Sequence, residues 1–74
     1  MFYTIGNKMF MKIEGARAYA YKMVAKTGKA VDITRVTAAG NSDAGRVLRI
    51  GTRVYYTPPE GETYVLYKDG STKK

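Results

Sequence analysis

The sequence predicts a small α+β domain, in which an antiparallel sheet carries one helix packed on one face. Three observations favour this class: short segments alternate between apolar and polar residues, one alanine-rich segment has helical periodicity, and glycine-containing turn signals separate the segments. At 74 residues the chain has room for one hydrophobic core. We therefore expect a single domain over residues 1–70 and a frayed tail over residues 71–74.

The first predicted element is a β-hairpin. Gly6-Asn7 is a two-residue turn signal, and it separates residues 2–5 from an alternating segment at residues 8–13. The alternative is a helix that begins at an Asn7 cap, but Gly15 would cost such a helix about 1 kcal/mol. We predict two short strands.

The second predicted element is a helix over residues 15–27. Its apolar residues recur at helical spacing, and Gly28 follows as a stop signal. The residues on this face are Ala16, Ala20, Met23, Val24 and Thr27. The alternative is a strand that pairs with the segment after Gly28, which would make the domain an all-β small barrel. The abundance of alanine argues against that strand.

Three further strands are predicted in the second half of the chain. They cover residues 30–37, 46–57 and 63–68, and Gly51 is interpreted as a bulge or bend within the long central strand. A polar, glycine-bounded loop at residues 38–45 separates the first two of these strands and is the expected mobile segment.

The net charge of +7 belongs to the predicted folded part of the chain. Thirteen basic residues stand against six acidic ones, and residues 8–53 alone hold ten of the basic residues and three of the acidic ones. The basic surplus is therefore expected on the helix and the strands around it, which favours a polyanionic partner.

The predicted helix carries a cationic ridge. Tyr19, Lys22 and Lys26 fall within an arc of about 60° on the side opposite the apolar stripe. The simpler interpretation is that these lysines only solvate the outer surface of an amphipathic helix.

The predicted central strand carries a second candidate surface. Arg49, Arg53 and Tyr55 share one face of it, with the two arginines about 13 Å apart. Arginine binds phosphate oxygens through two donors and tyrosine stacks on bases, which is typical of single-stranded nucleic-acid binding. Arg35 and Arg46 would widen this patch. The alternative is an ordinary solvent-facing side of an antiparallel sheet.

Several kinds of chemistry are excluded or disfavoured by the composition. The chain has no Cys and no His, so disulfides and zinc sites are absent, and no set of residues resembles a nucleophile with its base. Residues 40–47 imitate the glycine spacing of a phosphate-binding P-loop but lack its Lys-Ser/Thr pair. We expect neither an enzyme nor a cofactor or metal site. No uncharged stretch reaches the roughly 18 residues of a membrane span, and with no secretory signal in the opening residues we expect a cytoplasmic protein without integral membrane association.

The composition and the two candidate surfaces predict a small basic nucleic-acid-binding module. It would contact the backbone of DNA or RNA with little sequence specificity. The alternative is a protein-interaction module, such as a small accessory or inhibitor protein of the kind mobile elements encode, that binds an acidic protein or a second copy of itself. Adsorption of the lysine ridge to an anionic membrane surface is a third hypothesis.

Overall fold

One seven-stranded antiparallel sheet with one helix against it makes up the whole molecule, as described over residues 1–73 in a computed structural model. The strand order is β2-β1-β3-β4-β5-β6-β7, so β2 and β7 are the two edges and the sheet does not close. The predicted α+β class is confirmed, and the barrel alternative is wrong. The elements are β1 (Phe2–Ile5), β2 (Lys8–Phe10), α1 (Ile13–Thr27), β3 (Val31–Val36), β4 (Ser42–Ile50), β5 (Arg53–Thr57), β6 (Tyr64–Leu66) and β7 (Thr72–Lys73).

The helix lies where the periodicity predicts it. It begins at Ile13, two residues before the predicted start, and ends at Thr27. The backbone N–H of Gly28 closes the last turn by donating to the carbonyl of Val24 at 2.8 Å. The predicted apolar stripe faces the sheet, and its fully buried members are Ala16, Ala20 and Val24.

The core lies between α1 and one side of the sheet, which we call the covered face. Ile33 on β3, Val47 on β4 and Leu66 on β6 are almost completely buried there beside Val24 of the helix. The other side, the open face, has no helix over it among the described residues. A cross-strand row of Leu48, Tyr55, Val65 and Lys73 runs over four strands of the open face.

The predicted long strand at residues 46–57 is wrong. Its two halves are β4 and β5, which pair with each other across a two-residue turn at Gly51-Thr52. Gly51 has φ +64°, a conformation that glycine adopts without steric cost, so it is a turn residue and not a bulge.

Three smaller boundaries also differ from the prediction. The segment at residues 8–13 is extended only as far as Phe10, and Ile13 already belongs to α1. The predicted loop at residues 38–45 is shorter, because Thr37 and Asn41 close a turn with a 2.9 Å backbone hydrogen bond and β4 begins at Ser42. Within the predicted tail at residues 71–74, Thr72–Lys73 form β7; residue 74 lies outside the described residues.

Candidate nucleic-acid interface

The turn at Gly51-Thr52 separates the arginines of the predicted sheet patch. Residues that face each other across an antiparallel ladder point to the same side of the sheet. Arg49 faces the buried Val54, which puts Arg49 on the covered face, whereas Arg53 faces Ile50 on the open face together with Tyr55. The predicted trio of Arg49, Arg53 and Tyr55 is therefore not formed.

Arg35 and Arg46, which were expected to widen that patch, are both occupied by carboxylates. Arg35 donates two hydrogen bonds to its cross-strand neighbour Asp43, at 3.0 and 2.7 Å, and lies 3.6 Å from Glu60. The hydrogen bonds with Asp43 raise the pKa of Arg35. Arg46 donates to Asp32 at 3.1 Å. Neither arginine adds an uncompensated charge to the surface.

Tyr19 packs away from the lysines of the helix. Its ring lies 5.4 Å from the ring of Phe10 on β2, tilted by 45°, and Nζ of Lys8 lies 5.7 Å from its centre. The helical wheel placed Tyr19 beside Lys22 and Lys26, but it could not show that β2 supplies an aromatic partner on that flank.

The two lysines of the predicted ridge line a shallow cleft of about 580 Å³. Five of its lining residues come from α1, where the helical repeat puts positions 18, 21, 22, 25 and 26 along one side. The third lysine, Lys68, comes from the turn after β6, so a sequence pattern on the helix could not reveal it. We call this site the lysine cleft; its lining residues are Ala18, Tyr21, Lys22, Ala25, Lys26 and Lys68.

Arg49 adds a further positive charge at the C-terminal end of α1. A Cβ atom built on Gly28, the residue that ends the helix, would lie only 3.2 Å from Nη2 of Arg49. The C-terminal end of a helix carries a partial negative charge, which favours cations such as Arg49 and Lys26 at this place.

The cations of this surface form no salt bridges over residues 1–73, although Lys68 interacts at longer range with the carboxylate of its chain neighbour Asp69. Over residues 1–73, the ion pairs involve only Arg35 and Arg46 as cations, so Lys22, Lys26, Lys68 and Arg49 form none. No carboxylate lines the lysine cleft. Among the described residues the salt-bridged arginines thus lie on β3 and β4, whereas Lys22, Lys26, Lys68 and Arg49 have no salt-bridge partner.

No protein-family model, curated protein or solved structure matches this chain. Within residues 1–73, α1 is too short and too polar to cross a lipid bilayer.

Proposed function

We propose that this domain binds nucleic acid through the phosphate backbone, with the lysine cleft and Arg49 as the contact surface. One observation carries the proposal: Lys22, Lys26 and Lys68 surround a single cleft that no carboxylate lines. Three like charges around one concavity lower their mutual repulsion by binding an anion, and a chain of phosphates supplies several anions at matching spacing.

The composition of the surface favours contact with the backbone over readout of bases. Lysine acts on phosphate as a point charge, whereas base readout uses planar side chains that offer paired donors and acceptors in a groove. Tyr21 is the one aromatic residue in the cleft, and its ring can stack on an exposed base or a sugar. We therefore expect little sequence preference.

Fluorescence anisotropy with single-stranded DNA, duplex DNA and RNA tests this function. Four neutralised phosphates give a slope of about −3 to −4 in log affinity against log salt, so the affinity falls about a hundredfold between about 50 and 200 mM salt. Affinity that does not depend on salt would rule out backbone binding.

A pair of double variants tests the surface. Lys22→Gln with Lys26→Gln removes two charges from the lysine cleft, and Arg53→Gln with Lys73→Gln removes the same charge from the open face. The cleft variant is expected to weaken binding of every sequence by about tenfold or more and to reduce the salt slope by about 2, while the control changes affinity by less than about threefold. A larger loss of affinity in the control than in the cleft variant would show that nucleic acid binds the open face instead.

A second candidate function, a protein-interaction module, is favoured by the open face. Leu48, Tyr55 and Val65 stand side by side there without a covering helix, and Ile50 is 65% exposed. Arg53 beside Ile50 makes an acidic protein the matching partner. This function predicts a stoichiometric complex that Leu48→Ser abolishes, and no binding of random oligonucleotides.

A further inference from the structure

A larger cavity, of about 650 Å³, lies on the covered face beside the N-terminal half of α1. Its volume is within the range of small-molecule sites. It differs from the lysine cleft because three tyrosines line it and its charged residues have both signs. We call it the tyrosine pocket; its lining includes Tyr3, Arg17, Arg35, Tyr56, Glu60, Glu62, Tyr64 and Thr72.

Arg17 is held in one position at this pocket. Its Nε donates to the backbone carbonyl of Gly70 at 2.7 Å, and its guanidinium carbon lies 5.7 Å from the ring centre of Tyr56. It takes part in no ion pair over residues 1–73. Arginine has five N–H donors, so the anchored side chain still offers its terminal nitrogens to an anion.

The position of Arg17 depends on two glycines, Gly70 and Gly45, at which a side chain would not fit. Gly70 is buried with φ +90°, and a Cβ there would collide with the backbone carbonyl of Glu14 in α1. A Cβ on Gly45 would lie 2.9 Å from the ring of Tyr56. These two close approaches bring the anchoring carbonyl and the supporting ring into contact with Arg17.

The other charged groups of the pocket are already engaged in part. Arg35 is bound by Asp43 and faces Glu60, and Glu62 accepts a hydrogen bond from the Tyr64 hydroxyl at 3.1 Å. The Glu60 side chain is 65% exposed and keeps acceptor capacity toward a ligand. The pocket therefore combines one arginine without a salt bridge, Arg17, with a salt-bridged arginine, tyrosine rings and carboxylate acceptors.

We propose that the tyrosine pocket binds a nucleoside monophosphate. Such a ligand combines the three features that the pocket matches: a phosphate for the terminal nitrogens of Arg17, a planar base for the rings of Tyr3 and Tyr64, and N–H donors on the base for Glu60. This site is separate from the lysine cleft, and the inference does not depend on oligonucleotide binding there.

Calorimetric titration of the full chain with guanosine monophosphate, guanosine and inorganic phosphate tests the proposal. The monophosphate is expected to bind at least about tenfold more tightly than either fragment, since only it engages both the arginine and the aromatic walls. Inorganic phosphate that binds as tightly as the nucleotide would overturn it, as would absence of binding by all three.

Variants then locate the binding. Arg17→Gln is expected to weaken the nucleotide about tenfold or more, whereas Lys12→Gln, which removes the same charge just before α1 and outside the pocket, changes affinity by less than about twofold. Equal losses of nucleotide affinity in the two variants would show that only the net charge of the protein matters, and would overturn the proposal.

Because Arg17→Gln also removes the bond to Gly70, a variant with an intact anchor is needed. Glu60→Gln is expected to weaken the nucleotide severalfold and to leave phosphate binding unchanged or stronger. In amide NMR spectra the nucleotide should shift Tyr3, Tyr64 and Thr72. Chemical-shift changes confined to Lys22, Lys26 and Lys68 would show that the nucleotide binds in the lysine cleft. That result would refute nucleotide binding in the tyrosine pocket and leave the proposed backbone-binding function in place.

Discussion

Apolar side chains lie on both faces of the sheet, but only those on the covered face form the core. Neighbours in one strand make the contrast clear: Leu66 is 2% exposed under α1, whereas Val65, one residue earlier, is only half-buried on the open face. Both cavities also border α1, because a convex helix on a sheet leaves concave sites along its edges. The position of the helix therefore decides both which apolar residues form the core and where ligands can be held.

The largest expected effect is on stability, and it compares glycines in two turns, one that contacts α1 and one that does not. Gly70→Ala introduces a Cβ into the backbone of α1, so we expect a loss of about 4 kcal/mol or more, which approaches the whole stability of a domain of this size. Gly6→Ala, at φ +58° with open space around it, should cost only about 1 kcal/mol. Urea denaturation measures both; equal losses would show that the contact with α1 is unimportant.

The next effect compares adjacent residues on the two faces. Leu66→Ala leaves a cavity in the core and is expected to cost about 2–5 kcal/mol, whereas Val65→Ala on the open face should cost less than about 1 kcal/mol. Chemical denaturation at two protein concentrations provides the measurement. A Val65→Ala cost near that of Leu66→Ala would mean that something covers the open face in solution.

A smaller effect concerns the two arginines of the β4–β5 hairpin. Arg49→Gln removes a cation beside the C-terminal end of α1 and is expected to weaken oligonucleotide binding about fivefold, with a salt slope lower by about 1. Arg53→Gln, the matched change on the open face, should have almost no effect. Anisotropy titrations of the two variants decide which face contacts the backbone.

The smallest effect is a pH dependence of stability at Tyr56, on the covered face. Burial raises the pKa of Tyr56 above its ordinary value of 10.0, so the folded state favours the neutral phenol. The stability from this shift is complete below pH 10.0, the unfolded-state pKa, and is lost as the pH rises through the folded-state pKa. Tyr56→Phe should flatten this alkaline decline in thermal melts. An unchanged decline in Tyr56→Phe would assign it to other groups.

Local patterns predicted the elements but not the facing of every side chain. The helix at residues 15–27 and the first hairpin follow from spacing and turn chemistry, both of which act over a few residues. The alternation over residues 46–57 continued through Gly51 without a visible break. A two-residue turn reverses which positions share a face, so the interpretation of residues 46–57 as one continuous strand misplaced Arg49 relative to Arg53 and Tyr55.

The candidate sites depended on contacts that no local pattern contains. Lys22 and Lys26 were predicted from the helical wheel, but Lys68 joins them only through the path of β6. Asp43 neutralises Arg35 because the register of β3 and β4 puts the two side chains opposite each other. The tyrosine pocket collects residues from β1 to β7, so its existence could be known only from the complete fold.

The bond between Arg17 and Gly70 spans 53 positions of the chain. Closing so long a loop costs more entropy than closing a hairpin, and long-range contacts slow folding, so we expect this bond to form late. On the ribosome, α1 and the first strands would emerge and associate while the tyrosine pocket still lacked its anchor. Ligand binding at this pocket would then require that the turn at Gly70 had been synthesised and had folded against α1.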